Sequence, residues 1–240
     1  MIRLFSDSLL SVIYPQECRV CGGEVGSSDD AVACTACWTA TKIFTGNETL
    51  CDKCGAFLFE ARSSRTIACR KCSEHEYDHA LSIGSYEKAL SAAILELKRV
   101  PHLSGRVKRS LGEVLDRSAF GNTDVVIPVP LSSRRLQERG FNQAGVIARE
   151  VSNHLGVDLD ESTLVRTVHT PMHRAGMDKK ARAMTVKNAF KVARPKLIED
   201  KIILLVDDIF TSGETASHCA RILKKSGART VNVLTIAHAA

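Results

Sequence analysis

Long apolar runs are missing from this chain of 240 residues. No stretch approaches the roughly 18 consecutive apolar residues that a membrane-spanning helix requires, so no membrane span is expected. Aromatic residues are scarce, at 5 % with a single Trp. The first 77 residues carry too few large apolar side chains to build a core by burial alone. The N-terminus has no small-residue cleavage site, and Asp7 interrupts its apolar pattern. Residues 1–15 therefore read as an amphipathic helix with Leu4, Phe5, Leu9, Val12 and Ile13 on one side, not as a cleaved leader. Arg3 is its single basic residue, which argues against binding to a membrane surface. The rest of the composition, 44 % hydrophobic and 25 % charged, is that of an ordinary globular protein. The length accommodates one medium domain and a small one.

Charge is unevenly spread. Residues 1–77 hold 8 Lys/Arg against 10 Asp/Glu, whereas residues 78–240 hold 25 against 17. The C-terminal part thus carries a surplus of eight positive charges, which favours a polyanionic ligand or a nucleic-acid strand. A solvated basic surface would give the same surplus.

Cysteine is concentrated at one end. Cys18/Cys21, Cys34/Cys37, Cys51/Cys54 and Cys69/Cys72 form four CxxC pairs within 55 residues. A two-residue gap lets both thiolates of a turn reach one metal ion, and tetrahedral zinc needs a second such turn alongside. Twelve residues separate Cys21 from Cys34, and 14 separate Cys54 from Cys69. The simplest arrangement is two sequential Cys₄ sites, with an interleaved pairing as the alternative. Four thiolates leave no open coordination position, so two structural Zn²⁺ ions are expected. Each would contribute about 10–16 kcal/mol and so offset the missing core. Disulfides are disfavoured in the reducing cytoplasm expected for a chain without a leader. The segment's acidic balance argues against an independent DNA-binding finger and for a scaffold or lid. Cys219 stands alone in a helical stretch and reads as a small packed hydrophobe.

Residues 203–215, ILLVDDIFTSGET, carry the densest chemistry. Four apolar residues read as a strand buried on both faces, as in a parallel sheet. Asp207 and Asp208 then stand at its carboxyl end, where open α/β sheets bind ligands. Thr211, Ser212, Gly213, Glu214 and Thr215 form a hydroxyl-rich turn at a helix start, which is a phosphate cradle. The adjacent carboxylates suit sugar hydroxyls or a hydrated Mg²⁺. The acid pair of a metal-binding receiver-type domain is the alternative reading. Residues 124–129 predict a second buried strand, followed by a loop dense in arginine: Arg134, Arg135 and Arg139. Guanidinium groups bind phosphate oxygens in pairs, so this loop suits a diphosphate. Helices are expected over residues 88–99, 104–120, 143–155 and 214–225, with Asn142 capping the third. Lys98 and Arg99 would meet an anion or complement a helix dipole. Further strands are expected over residues 202–206 and 230–237, and a mobile active-site loop over 163–192. The alternation implies an open, mostly parallel α/β sheet. The composition shift places a boundary near Asp78, giving a cysteine-rich domain 1–77 and an α/β domain 78–240.

The 203–215 run resembles the 5-phosphoribosyl-1-diphosphate (PRPP) signature of type I phosphoribosyltransferases. That resemblance implies that Asp207 and Asp208 face the ribose 2′- and 3′-hydroxyls and that residues 211–215 wrap the 5′-phosphate. Together with VIPVPLSSRRLQERGFNQA and the paired CxxC motifs, it resembles the ComF family over nearly the whole chain. Those are phosphoribosyltransferase-like proteins associated with natural competence for DNA uptake. The resemblance implies helices on both sheet faces behind a small zinc-ribbon domain, with Mg²⁺ bound alongside PRPP. Enzymatic phosphoribosyl transfer is one implied function. A non-enzymatic PRPP or nucleotide sensor that binds single-stranded DNA and competence proteins is the other. The family's Gln after the loop proline is replaced here by Met172, followed by His173 and Arg174, and no catalytic base stands out. A hood over the acceptor would come from the cysteine-rich segment.

Overall fold

A computed structural model describes residues 16–58, 69, 72–167 and 189–239. The amphipathic pattern of residues 1–15 and the Met172–His173–Arg174 stretch lie outside them.

A short helix, α1 (Thr35–Thr39), lies within the cysteine-rich part. Then come β1 (Ala80–Ser85), α2 (Lys88–Leu97), α3 (Gly105–Asp116), β2 (Val125–Pro128), α4 (Ser133–Arg139) and α5 (Gln143–Leu155). The chain continues through β3 (Asp158–Leu159), β4 (Leu164–Arg166), β5 (Phe190–Val192), β6 (Ile202–Phe210), α6 (Glu214–Lys225) and β7 (Thr230–His238). Five strands form a parallel sheet in the order β1-β7-β6-β2-β3, and β4 pairs antiparallel with β5. β6 and β2 lie at the centre of the order and are apolar, as strands covered on both faces must be.

The two faces sort the side chains by strand alternation. Leu204 and Val206 of β6 join a cluster with α2, α3 and α5, whereas Ile203 and Leu205 join one with α6 and the β4–β5 pair. Helices thus cover both faces, as the alternation of elements predicted. The cysteine-rich part enters both clusters: Cys18, Val25, Val32 and Trp38 pack into the first, and Cys51, Cys54, Cys72 and Tyr77 into the second. It crosses from face to face at the outer edge of β1. There Ile43 bridges Gly84 antiparallel, Phe44 N–H donates to Ile83 O at 2.8 Å, and Ser85 N–H donates to Lys42 O at 2.9 Å. Gly84 is required for this approach, because a Cβ would collide with Lys42 O and stand 2.9 Å from Leu90 Cδ1.

Three expectations need correction. The arginine-dense stretch is not a loop but the helix α4, because Ser132 caps it (Arg135 N–H to Ser132 Oγ, 3.4 Å) and Gly140 ends it at φ +78°. β6 does not stop at Val206; it continues through both acids to Phe210, because β7 keeps pairing with it as far as His238. The stretch 163–192 begins and ends in strand, since Leu164 and Phe190 are buried and bring β4 and β5 together. The remaining helices match closely, α5 and α6 at both ends.

Candidate functional site

The turn between β6 and α6 stands at the carboxyl edge of the sheet. Gly213 takes the left-handed conformation, φ +77°, and begins α6 with no side-chain cap of its own. Thr211 and Ser212 are exposed, and Thr215 is half-buried. The turn thus exposes two hydroxyls at the start of α6, where Glu214 N–H reaches Ser212 Oγ at 3.5 Å, and such a helix start can accept an anion.

The two acids next to this turn are unlike each other. Asp208 lies 3.8 Å from Lys98 Nζ, where Lys98 caps the C-terminus of α2. Asp207 faces Arg166 and Cys219 instead, and its carboxylate accepts from Asp208 N–H at 2.9 Å. Burial and the neighbouring Asp208 push its pKa up to about 8, against the pull of that N–H and of Arg166. Burial likewise raises the pKa of Cys219, which is fully enclosed and packs as an apolar residue. Burial and nearby Arg135 both lower the pKa of Arg166, whose guanidinium stands 5.2 Å over the Phe190 ring. The structure thus links Arg135, Arg166 and Asp207 into one charged neighbourhood. Arg134 is committed to Glu138 on the exposed side of α4, at 2.8 Å, and Arg139 donates to Gln143 Oε1 at 2.7 Å.

The eight paired cysteines gather as two sequential tetrads. Within Cys18–Cys21–Cys34–Cys37 and within Cys51–Cys54–Cys69–Cys72, all sulfurs lie within 4.8 Å of one another. Tetrahedral zinc with Zn–S bonds of about 2.3 Å needs sulfurs about 3.8 Å apart. Cys21–Cys34 is 3.8 Å, and Cys51–Cys72 and Cys54–Cys69 are each 3.6 Å, so the tetrads fit zinc and the interleaved pairing is excluded. Their first knuckles repeat one design. Glu17 bridges Glu24 around the first, Leu50 bridges Phe57 around the second, and Gly22 and Gly55 follow the CxxC at φ +75° and +68°. Cys69 N–H donates to Cys51 Sγ at 3.2 Å, a bond that favours the thiolate.

A model of the double zinc ribbon domain matches residues 9–75, and one of the phosphoribosyl transferase domain matches residues 94–240. The DNA utilization protein YhgH of Shigella flexneri is 30 % identical over 208 residues, covering 83 % of this chain and 87 % of that protein. Competence protein F of Haemophilus influenzae is 28 % identical over 234 residues, covering 92 % and 96 %. Competence protein ComFC of Bacillus subtilis is 30 % identical over 117 residues, covering 47 % and 43 %. The chain belongs to the ComF family. Its fold is that of a phosphoribosyltransferase, joined to cysteine clusters of zinc-ribbon type.

Three residues of this ComF-family site escaped sequence reasoning. Lys98 is expected from the sequence only to meet an anion or complement the dipole of its helix, and its position beside Asp208 depends on how α2 packs against the sheet. Arg166 falls in the stretch expected to be a mobile loop, whereas it lies in the short strand β4, over the Phe190 ring and within electrostatic reach of Asp207. His75 carried no signal at all, and its ring lies against Gly213. Among the described residues no helix is long and apolar enough to cross a membrane.

Proposed function

We propose that this chain binds PRPP at the β6–α6 turn and transfers its phosphoribosyl group to an acceptor, in the service of competence or DNA utilization, the roles its relatives are named for. The observation that carries this reading is the exposed hydroxyl turn at the start of α6 standing next to Asp207 and Asp208, inside the matched phosphoribosyl transferase domain. In this reading residues 211–215 hold the 5′-phosphate, and Asp207 and Asp208 orient the ribose hydroxyls. Arg135 stabilises the departing diphosphate, and Arg134 and Arg139, on the same helix, join it by exchanging Glu138 and Gln143 for its oxygens. Asp207, whose burial and neighbouring Asp208 raise its pKa to about 8, gives up its proton when it meets a cation brought by the ligand. Asp207 and Asp208 would hold Mg²⁺, which supplies charge neutralisation of the diphosphate when bound. The protein positions PRPP and stabilises the charge that leaves C1. The cysteine-rich segment 1–77 serves as scaffold and hood for the domain 78–240. Its reduced thiolates belong in a reducing compartment such as the cytoplasm.

The test is diphosphate release from PRPP with a panel of nucleobases and other acceptors, with and without Mg²⁺. Turnover by the parent, lost in Asp207→Asn/Asp208→Asn, is the expected result. The basic surplus of residues 78–240 favours a second reading, a PRPP-responsive protein that binds single-stranded DNA. PRPP binding without turnover, joined to steeply salt-dependent DNA binding, would replace the first reading by the second.

A further inference from the structure

The segment that leaves the second cysteine tetrad runs straight to the β6–α6 turn. The tetrad grips the backbone of His75 at two points. Its N–H donates to Cys72 O at 3.1 Å, and its carbonyl accepts from Lys53 Nζ at 2.7 Å. Lys53 lies between Cys51 and Cys54, so both knuckles of the tetrad place this one residue. The imidazole then lies against Gly213. A Cβ on Gly213 would stand 2.7 Å from His75 Cε1 and 2.8 Å from Phe210 Cζ.

The same segment is locked from below and from the side. His75 Nδ1 and Tyr77 Oη share a hydrogen bond of 2.6 Å. Tyr77 is buried and meets the Phe210 ring edge-on, with centroids 5.8 Å apart. Glu76 N–H donates to Ser217 Oγ at 3.0 Å, and Arg221 Nε donates to Glu76 Oε1 at 3.1 Å. Phe210 ends β6 and Gly213 begins α6, so the His75 and Tyr77 rings brace both ends of the turn.

An open turn that must present several N–H groups to one anion gains affinity when its geometry is fixed in advance, because the ordering cost is met before the ligand arrives. Gly213 has neither a Cβ nor a side-chain cap to hold its conformation, and the His75 ring packs into the space a Cβ there would fill. The geometry points to His75 as a positioning residue for this turn, through which the metal site of Cys51, Cys54, Cys69 and Cys72 sets the turn's affinity for a sugar phosphate. This rests on the reading that the turn binds phosphate. The coupling is confined to one metal site, because the first tetrad packs on the opposite face of the sheet with α2 and α3. It is also reciprocal: whatever the metal does for ligand affinity, the ligand does for metal retention.

The test uses the full zinc-loaded chain with ribose 5-phosphate as the probe. Binding is titrated by calorimetry, and zinc affinity is measured by equilibrium competition with a chromogenic chelator. His75→Ala weakens ribose 5-phosphate binding about tenfold while the chain still holds both zinc ions. His75→Phe, which keeps a ring against Gly213, restores most of the affinity. In the parent, saturating ribose 5-phosphate raises the affinity for one zinc about fivefold and leaves the other unchanged. In His75→Ala it raises neither. Equal affinity for ribose 5-phosphate in parent and His75→Ala overturns the inference, as does a zinc affinity that ignores ribose 5-phosphate in a parent that binds it. The zinc-affinity measurement on the parent needs no variant, so a poorly folded His75→Ala leaves the inference decidable. A parent that binds neither ribose 5-phosphate nor PRPP removes the phosphate reading itself, and this inference with it.

Discussion

Lys98 Nζ stands 3.8 Å from Asp208 Oδ2, joining the end of α2 to the acid pair of β6. Asp207, one residue earlier, points to the other side of the sheet, where burial and Asp208 raise its pKa and Arg166 opposes them only weakly. Lys98 comes from the end of α2, an element outside the β6–α6 turn. Lys98 keeps a positive charge at the edge where a polyanion would settle. Its pair with Asp208 is partly exposed, and such pairs contribute about 1 kcal/mol or less to stability. Lys98→Met should therefore shift the thermal midpoint by no more than about 4 °C. It should weaken PRPP binding several-fold by calorimetry. Unchanged binding would mean that Lys98 serves the acid pair alone.

Asp207 gives a dependence on pH. The folded protein keeps this carboxyl protonated up to about pH 8, whereas its ordinary value is near 3.8. Between these values the folded state binds more protons than the unfolded chain. The contribution of Asp207 therefore turns against folding as pH rises, and it levels off above about pH 8. Asp207→Asn should raise the thermal midpoint relative to the parent at pH 8 and give no gain below pH 4. A ligand that requires the carboxylate must displace the proton. Binding of Mg²⁺–PRPP by the parent should then strengthen up to about pH 8 and flatten beyond it. A pH-independent difference between the two proteins would show that Asp207 titrates normally.

Two glycines share a conformation and differ in surroundings. Gly213 and Gly140 stand at φ +77° and +78°, but a Cβ on Gly140 meets nothing within 4 Å. Gly140→Ala should cost only the left-handed conformation, about 1–2 kcal/mol. Gly213→Ala adds an overlap with His75 and Phe210, a further ~1–3 kcal/mol. Urea titration should rank the two in that order, and only Gly213→Ala should lose phosphate binding. Equal costs would show that the rings move aside freely.

Metal removal should act on the whole molecule. Both tetrads share apolar clusters with the sheet, so the cysteine-rich part has no separate core to lose. A strong chelator under reducing conditions should lower the main calorimetric transition without creating an earlier one. An early transition that leaves the sheet's melting unchanged would show the ribbons to be independent.

What the sequence made legible follows from the range of each interaction. α5 runs from Gln143 to Leu155 because Asn142 and Gly156 punctuate it locally, and both signals are visible in the chain. The strands β2 and β6 are apolar on both faces and announce themselves. The helix α4 does not. It has no apolar stripe, only Leu136, which is itself exposed, so its caps had to be weighed against its charge. β4 and β5 are three residues each, and the stretch between them hides their pairing. The acids and the hydroxyl turn of the site are contiguous and readable. The contacts Lys98–Asp208 and His75–Gly213 join residues far apart in sequence, and only the packing of the elements brings them together. The cysteine spacing allowed two pairings, and the sulfur distances leave one.

The bridge between Ile43 and Gly84 has a bearing on assembly. An open sheet offers its outer strands as templates on which a foreign strand can grow. At β1 the chain's own cysteine-rich part has taken that place, with main-chain bonds from Phe44 to Ile83 and from Ser85 to Lys42. At the other end β3 presents just two residues, Asp158 and Leu159, too brief a template for stable pairing. Among the described residues, the five-stranded sheet is thus covered at one end and offers only a brief edge at the other. The metal-bearing segment doubles as a seal on the β1 edge of the sheet.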